Sequence, residues 1–273
     1  MLATAKWIID VMEAWAPAKW AMQSDNVGLL VGDKSKPVNK VLTALDLSED
    51  VLLEAVNGCF DFIIVHHPLI SSHVQPVDRI TSDTVLGKKI MTLISNDIGL
   101  FCAHTNLDVA PGGVNDLLFG VLGLIDKENL TIAKDSNYPT LGLVGQLSQP
   151  MALADFAKYV GNALNVKGIR YTGSSNIQIS KVGLCGGGGA NQQLAKSALE
   201  KKCNVYITGD IGYHFAMSSL ECGLPLIDAT HYATEIFIAE AIADFIKKSA
   251  AAESFSDFVV QSAQNTCQIF NTT

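Results

Sequence analysis

The chain has 273 residues, of which 48% are hydrophobic and 17% charged, and its formal net charge at pH 7 is -8. This length predicts one large domain or two medium ones, and the acidic balance argues against broad electrostatic binding to nucleic acid or to anionic membranes. The six cysteines show no CxxC spacing, and Cys102 and Cys185 lie in apolar runs, so we expect most of the cysteines to be reduced core residues of a cytoplasmic protein. No uncharged apolar run is long enough to span a bilayer.

The first twenty residues predict an amphipathic helix rather than a signal or transit peptide, because Asp10 and Glu13 interrupt the apolar stretch. The residues on its apolar side are Trp7, Ile8, Val11, Met12 and Trp15. The polar segment that follows contains Asp25, Asn26 and Gly28, which could shape a ligand loop. These residue types also favour turns for backbone reasons alone, and a simple turn is the interpretation we favour.

A predicted buried strand runs directly into two histidines. Residues 62–65 are continuously apolar, which is typical of a central strand covered on both faces, and Pro68 ends the strand just after His66 and His67. Ligand sites in open α/β sheets lie just outside the carboxyl ends of such strands. Neighbouring side chains on a regular strand point to opposite faces, so histidines that share one site should follow its regular part. The alternative is one packed and one solvated histidine.

The surrounding pattern predicts strands that alternate with helices. Residues 40–46 form a predicted strand, a helix follows from Ser48 to about Gly58, and the strand ending at His66 completes a βαβ unit of a parallel sheet. His73 lies in a polar stretch and is interpreted as an exposed loop residue. The polar segment 126–140 is interpreted as a crossover between two lobes.

A faint internal repeat relates the two halves of the chain. Residues 181–185 resemble residues 40–44, and Gly209-Asp210 stand where the first copy has His66-His67. Each copy also has a histidine followed four residues later by an acid, and these pairs are His104 with Asp108 and His231 with Glu235. Chance similarity between α/β segments is the alternative. We predict an α/β fold of two intertwined, duplicated lobes with mixed, mainly parallel sheets and a metal site at strand ends between them. The lobes are residues 1–128, completed by 230–273, and residues 129–229.

Nitrogen and oxygen donors accumulate near predicted strand ends and helix starts. They are His66, His67, His104, His214 and His231, with Asp108, Asp210 and Glu235. Such a set, without thiolate, suits Zn, Mn, Fe, Co or Ni. A catalytic zinc normally takes three protein ligands and a water, so the set exceeds one site and fits two ions that share a carboxylate. The Gly186–Gly189 run could cradle a phosphate, but it lacks the Lys-Ser/Thr of a P-loop, and a permissive turn is favoured.

With this set of donors, the chain resembles the Nif-three-like dinuclear-metal proteins, also called GTP cyclohydrolase I type 2-like proteins. The resemblance covers nearly the whole chain and rests on His66-His67-Pro68, His104-Thr105-Asn106-Leu107-Asp108, Gly209-Asp210-x-x-x-His214 and His231-x-x-x-Glu235. It implies two divalent metal ions held by His66, His67, Asp108, His231 and Glu235. It places His104 and His214 close to the metals. It also implies toroidal homohexamers of two-lobed subunits with the sites facing an internal cavity.

The chain departs from the family pattern at a few positions near these motifs. Ser24 stands where a tryptophan often precedes Asp-Asn, and Thr230 stands where a glycine usually precedes the histidine. Ser71 and Ser72 stand in a region that is usually apolar. None of these departures removes a ligand, but they affect the expected shape of the substrate pocket.

The first functional hypothesis is a metal-dependent hydrolase in which two ions activate a water and His104 or His214 carries protons. If the family label holds, the substrate is GTP, and hydroxide attacks the imidazole carbon of guanine to open the ring. A dimetal phosphoesterase of the Asp-His-His type would need an acid before the histidine pair, where this chain has Val65. A hypothesis of another class is a metal-containing, ring-shaped binding or regulatory protein, or a metal chaperone without turnover.

Overall fold

The structure is a computed structural model that describes residues 2–71, 77, 79–131, 140–253, 255–266 and 268–271. His73 and residues 132–139 of the predicted crossover lie outside the described residues. The chain divides into two compact units by its contacts. Unit 1 comprises Met1–Leu107 and Ile238–Cys267, and unit 2 comprises Asp108–Phe237 and Gln268–Thr273. The boundaries of the predicted lobes and the predicted duplication stay predictions, since this division by contacts does not test them.

Unit 1 contains a five-stranded mixed sheet in the part of the chain that the structure describes. Its strands are β2 (Gly28–Val31), β4 (Lys40–Ala44), β5 (Phe62–Val65), β6 (Gly99–Cys102) and β13 (Val259–Ser262), in the order β13-β4-β5-β6-β2. All neighbours are parallel except β2, which runs antiparallel to β6. Strands β5 and β6 are buried along their whole length, because both faces of this sheet are covered. The short strands β1 (Ala3–Thr4) and β3 (Pro37–Val38) pair separately.

Three helices of unit 1 begin where a hydroxyl side chain caps them. They are α1 (Ala5–Trp15), α2 (Glu49–Asn57) and α3 (Val85–Ser95), and a 3₁₀ turn at Ala18–Trp20 follows α1 without such a cap. Thr4, Ser48 and Thr84 each accept a hydrogen bond from the backbone N–H three residues on, which satisfies one of the unpaired donors of the first turn. Because α2 connects the parallel strands β4 and β5, the predicted βαβ unit is confirmed.

Unit 2 contains a six-stranded mixed sheet within the described residues. Its strands are β7 (Ile125–Asn129), β8 (Leu143–Ala152), β9 (Arg170–Tyr171), β10 (Gln178–Leu184), β11 (Val205–Thr208) and β12 (Leu226–Asp228), in the order β7-β8-β10-β11-β12-β9. The three strands β10, β11 and β12 are parallel, and the other pairings are antiparallel. The predicted α/β class with mixed sheets is confirmed, and the parallel character dominates only the sheet of unit 1.

The start of the predicted crossover is a strand, which corrects the interpretation of segment 126–140. β7 pairs antiparallel with β8 at the edge of the sheet, and all its residues are exposed. Edge strands commonly carry charged residues that discourage pairing with other chains. The sequence therefore looks like a polar connection, although Asp126, Lys127 and Glu128 belong to a strand.

Helices cover both faces of the unit 2 sheet. They are α5 (Val114–Val121), α6 (Leu153–Ala163), α7 (Gln192–Glu200), α8 (Tyr213–Glu221) and α9 (His231–Glu235). Val205 and Ile207 pack into one core cluster with Phe156, whereas Tyr206 packs into another with Leu194, because successive side chains of a strand point to opposite faces. The sheet is therefore buried on both sides, which holds its carboxyl ends in place.

The chain changes unit three times. Helix α4 (Thr105–Val109) contains the first change and α10 (Phe237–Ala250) contains the second, and the third comes at Gln268. The predicted helix from Glu235 to Lys248 is divided, since α9 ends at Glu235 and α10 begins at Phe237. Among the described residues, no helix has the length and apolarity that crossing a membrane would require.

Candidate metal centre

Strand register brings three histidines together in unit 1. Val65 of β5 pairs with Cys102 of β6 in parallel register, so the residues that follow these two strands leave the same edge of the sheet. Those residues include His66, His67 and His104. The ring centroids lie 5.0 Å apart for His66 and His67, 5.2 Å for His66 and His104, and 5.6 Å for His67 and His104. We call these three residues the histidine cluster.

The histidine cluster fits a divalent ion by its chemistry and spacing. One ring nitrogen of each histidine lies within 4.8 Å of the others, and neutral imidazole is a common ligand for Zn, Cu, Fe and Ni. His66 is fully buried, whereas the side chains of His67 and His104 are 21% and 28% exposed. The cluster is therefore accessible from one side while its innermost ligand is shielded from water.

Each ring of the histidine cluster donates a hydrogen bond from Nδ1. His66 donates to the carbonyl oxygen of Ala103 at 2.8 Å, His67 to Asp46 Oδ1 at 2.8 Å, and His104 to Asp25 Oδ1 at 2.9 Å. Carbonyl and carboxylate oxygens only accept, so the proton resides on Nδ1 in all three rings. Metal-binding histidines characteristically use their second nitrogen in this way, which fixes the tautomer and the ring orientation. In this arrangement Nε2 is the nitrogen that can bind a metal.

Asp25 orders the start of α4 around His104. Its Oδ2 accepts hydrogen bonds from the backbone N–H and the hydroxyl of Thr105, and its side chain is only 7% exposed. Burial would raise the pKa of Asp25, but hydrogen bonds from His104 and Thr105 and the attraction of His104 outweigh it and lower the pKa to about 2. The segment predicted as a simple turn therefore supplies an ionised carboxylate to the site.

In unit 2 a second set of donors leaves the ends of parallel strands. Thr208 of β11 pairs with Asp228 of β12, so Asp210 and His231, which follow these strands, emerge at one edge of the sheet. His231 Nδ1 donates to Asp210 Oδ2 at 2.7 Å, and His231 Nε2 lies 3.0 Å from Glu235 Oε2. Because Glu235 follows His231 by four residues on α9, both side chains lie on one face of the helix.

The acidic neighbours of His231 control its protonation. The hydrogen bond to Glu235 raises the pKa of His231 most, burial opposes it, and the charge of Glu235 and the contact with Asp210 add to the increase, which brings the pKa to about 9. Glu235 is buried and the side chain of His231 is 35% exposed, so His231 and Glu235 form a partly buried ion pair in this structure. Metal binding at His231 would have to displace this proton, because metal ligands must be deprotonated.

The glycine run of unit 2 lies against the ion pair. A Cβ atom at Gly187 would lie 2.0 Å from Glu235 Oε1 and 3.1 Å from His231 Nε2, and Gly187 has a φ of 62°. The N–H of Gly187 donates to Thr234 Oγ1 at 2.9 Å, and its carbonyl oxygen accepts from the N–H of Gly209 at 2.9 Å. The run therefore places its backbone close to the Glu235 carboxylate. This is a further role beside that of the permissive turn that the sequence favours.

Thr230 places His231 at the start of α9 through an unusual backbone conformation. Its φ of 63° and ψ of 148° lie in a region that side-chain-bearing residues rarely adopt. The N–H of Thr230 donates to Asp228 Oδ1 at 3.2 Å, and its hydroxyl accepts from the N–H of Ala233 at 3.3 Å as the helix cap. The glycine that usually precedes the histidine in the family pattern would adopt this conformation without strain.

The remaining predicted site residues lie in unit 2. Asp108 is half-buried, and its carbonyl oxygen accepts from Asn115 Nδ2 at 2.9 Å. Burial, followed by the charges of Asp108 and Glu235, raises the pKa of Cys185 well above its usual value, so both carboxylates act on the same buried thiol. His214 is exposed on α8, and its ring lies 5.3 Å from that of Tyr213 in an edge-on arrangement.

Comparison with known proteins identifies the family. A family model described as Duf34/NIF3 (NGG1p interacting factor 3) matches residues 3–266. The chain belongs to this family. A relative from Clostridium perfringens named GTP cyclohydrolase 1 type 2 homolog is 35% identical over 253 residues, which cover 93% of this chain and 94% of the relative. A relative of the same name from Methanocaldococcus jannaschii is 34% identical over 256 residues, covering 92% and 98%.

Solved structures of NIF3-related proteins share the fold. The crystal structure of a Bacillus cereus protein related to NIF3 matches 100% of both chains with a TM-score of 0.91 and 27% identity. The predicted resemblance to this family is therefore confirmed, together with the α/β fold. The histidine cluster is a group of donors that could hold a metal ion.

Two carboxylates that are not among the predicted site residues hold rings of the cluster. The sequence pattern predicts Asp46 as the end of a strand and Asp25 as part of a turn. Their positions follow from the sheet topology, because β4, β5, β6 and β2 are consecutive neighbours in the sheet. The residues after β4 and before β2 therefore reach the same edge as the histidines.

Proposed function

We propose that the chain is a metal-dependent hydrolase that binds two divalent ions through His66, His67, Asp108, His231 and Glu235. The observation that carries the proposal is the histidine cluster, in which each Nδ1 is already committed to a protein acceptor. Metal-ligating imidazoles typically donate their other ring N–H to such an acceptor, which fixes the orientation of the ring. The acidic residues of unit 2 provide the negative charge that a pair of cations needs for neutralisation.

The protein residues would supply binding, orientation and proton transfer. When bound, two divalent ions activate water and polarise the bond that is attacked. Asp46 holds the ring of His67, and Asp210 holds the ring of His231. The two predicted proton carriers are His104, whose Nδ1 donates to Asp25 Oδ1, and His214, which is exposed on α8.

We further propose that the substrate is GTP or a related nucleotide. Support comes from the printed names of the relatives, which call them GTP cyclohydrolase 1 type 2 homologs. In this reaction class water adds to the imidazole carbon of guanine and the ring opens. The native ion among Zn, Mn, Fe, Co and Ni is left to experiment, since all accept nitrogen and oxygen donors.

Reconstitution with defined metals tests the function. Protein stripped by chelators and reloaded with each ion should consume GTP, or another member of a nucleotide panel, only in the loaded form. Liquid chromatography with mass spectrometry identifies both the base opening and any phosphate release. Full metal loading without turnover of any nucleotide would contradict the hydrolase and favour the alternative of a binding protein or metal chaperone.

Glu235→Gln is the sharpest variant for the predicted ligands. Glutamine keeps the shape and helix propensity of glutamate but lacks the charge that a ligand shared by two cations needs. Two ions per chain are expected in the parent protein and fewer in the variant, as measured by elemental analysis. Glu240→Gln, an exposed change in α10, is the matched control, and Asp108→Asn is the companion test. Two retained ions in Glu235→Gln would remove this residue from the proposal.

The assembly and location of the protein are also proposals. We propose a homohexamer in the cytoplasm that acts on a small-molecule substrate and not on nucleic acid. The support is the family resemblance and the net charge of -8. Light scattering coupled to size-exclusion chromatography measures the mass, and a monomer of 29.2 kDa at working concentration would contradict the hexamer.

A further inference from the structure

We propose that strand β13 is a docking edge for a second copy of this chain, and that the β13 strands of two copies pair antiparallel around a two-fold axis near Val260. The inference names a contact surface for the homo-oligomer suggested above. It rests on that suggestion only for the existence of more than one chain in the particle. No predicted metal ligand takes part in it.

The first argument is a comparison of the edge strands of the two large sheets, within the residues that the structure describes. β7 carries Asp126, Lys127 and Glu128, β9 has only 2 residues, and β2 has an irregular register against β6. Charges, short length and bulges are devices by which proteins prevent their sheet edges from pairing with other chains. The 4 residues of β13 are uncharged and pair with β4 in continuous register. Of these edges, β13 is therefore the one left open to pairing.

The second argument is the composition of the segment around β13. Residues 258–263 include a phenylalanine and two valines and contain neither charge nor proline, which is typical of segments that pair with copies of themselves. No charged side chain follows Asp257 in the sequence, although the whole chain has a net charge of -8. Two copies therefore repel each other least at this segment, and a second copy is the occupant that the edge fits.

The third argument is the direction of the backbone groups of β13. The N–H groups of Val259 and Ala263 donate, at 2.7 Å and 2.8 Å, to carbonyl oxygens of the segment that contains β4. Since alternate residues of a parallel strand bond to the same neighbour, Val260 and Ser262 point their N–H groups away from β4. The carbonyl oxygen of Ser262 accepts from Gln264 Nε2 at 3.0 Å, so the axis is placed at Val260. There the two copies of Val260 exchange both N–H···O bonds.

The fourth argument is the uncovered face of the strand. Val259 and Gln261 share one face and are both exposed. A cleft of about 530 Å³ next to them is lined by Gln261 and by residues of α2 that include the exposed Leu53. One short strand buries too little surface for a stable dimer, which needs roughly 1,200 Å². Pairing centred on Val260 places Val259 of the second copy opposite Gln261, where it adds apolar contact beside the cleft.

Light scattering coupled to size-exclusion chromatography, together with hydrogen exchange of the backbone amides, tests this contact on the full chain. Val259→Lys gives β13 the kind of charge that protects other edges, and Ser262→Pro removes an outward N–H without removing a donor to β4. Each change should raise the dissociation constant of the contact by about 10-fold or more and should accelerate amide exchange in residues 258–263.

Ile125→Lys is the matched control for Val259→Lys. Both residues are apolar and lie on edge strands, with exposed fractions of 47% and 41%, but β7 already carries charges. The mass of Ile125→Lys should therefore equal that of the parent. A loss of mass equal to that of Val259→Lys would overturn the inference, because the effect would then not be specific to β13.

Two further outcomes would overturn the inference. One is a parent that is monomeric at 29.2 kDa, which would leave the edge to a different chain. The other is an oligomeric parent whose mass and amide exchange persist in both Val259→Lys and Ser262→Pro. If circular dichroism shows that Ser262→Pro does not fold, Val259→Lys decides, since it changes only an exposed side chain. A parent of two chains that both variants dissociate supports the β13 contact and contradicts only the hexamer, and nucleotide turnover tests the hydrolase separately.

Discussion

The histidine cluster of unit 1 and the His231–Glu235 pair of unit 2 reach the ends of parallel strands by different means. In unit 1 the side chains follow regular strands, and none of His66, His67 and His104 has a positive φ. In unit 2 the residues around His231 use positive φ, with values of 54° at Asp210, 62° at Gly187 and 63° at Thr230. Register alone places the first set, whereas the second depends on strained or glycine-based backbone.

The two sets also differ in charge. The rings of unit 1 donate to separate acceptors and present nitrogen donors, whereas His231 is bonded to carboxylates through both nitrogens. The unit 2 set therefore holds a proton that a metal must displace, whereas the Nδ1 proton of each unit 1 ring is already held by a protein acceptor. We call His231, Asp210 and Glu235 the acidic set. We expect metal to bind first at the histidine cluster and then at the acidic set.

Of the changes considered, Gly187→Ala should have the largest effect on the difference between the two sets, because it acts on metal binding in unit 2. The new Cβ would displace the Glu235 carboxylate, whose Oε1 lies 2.0 Å from its position, so metal affinity at the acidic set should fall by about 10–100-fold. The backbone strain should cost about 1–2 kcal/mol of unfolding free energy. Isothermal titration with Zn²⁺ measures the first effect and urea unfolding the second.

Gly188→Ala is the matched control for that change. The nearest atom to a Cβ there is Asp210 Oδ2 at 3.8 Å, an ordinary contact. Parent-like zinc binding in Gly187→Ala would show that the glycine run does not position Glu235, and equal losses in both variants would assign the effect to the loop as a whole.

The pH dependence of metal-free protein should reveal the His231–Glu235 pair. The pKa of His231 is about 9 in the folded chain against an ordinary value of 6.5. Protonated His231 therefore contributes its full share to the unfolding free energy below pH 6.5, and this contribution is lost as the pH rises through 9. Because its side chain is 35% exposed, we expect a loss of only about 1–2 kcal/mol. Urea unfolding of chelator-treated protein between pH 6 and pH 9.5 measures it, and a slope that persists in Glu235→Gln would contradict this assignment.

Thr230→Gly should have the smallest effect, a gain of about 1 kcal/mol in unfolding free energy. Relief of the unusual backbone contributes about 1–3 kcal/mol, and loss of the cap and the greater entropy of an unfolded glycine offset part of it. Thermal melting measures the change. Ser48→Gly is the control, because Ser48 caps α2 with an ordinary φ of -67° and should only lose stability. A destabilised Thr230→Gly would mean that the threonine conformation carries little strain.

Much of the fold and of the donor set could be predicted from residue patterns. The apolar run at 62–65 predicted a buried strand, and the acid four residues after His231 predicted a shared helix face, as the structure has them. Asp25 and Asp46 could not be paired with their histidines, because the neighbours of a strand in a sheet are not encoded in its own periodicity. The polar composition of segment 126–140 predicts a crossover where the structure has β7, because an exposed edge strand has the composition of a loop.

The sequence by itself determined the α/β class, the parallel βαβ unit and a set of nitrogen and oxygen donors that follow predicted strands. These features depend on local periodicity and on residue chemistry, which a single chain displays directly. Only the tertiary structure decided which carboxylate orients which imidazole, and that Gly187 and Thr230 shape the surroundings of His231. Those relations depend on lateral strand order and on backbone dihedral angles, which arise when distant segments pack together.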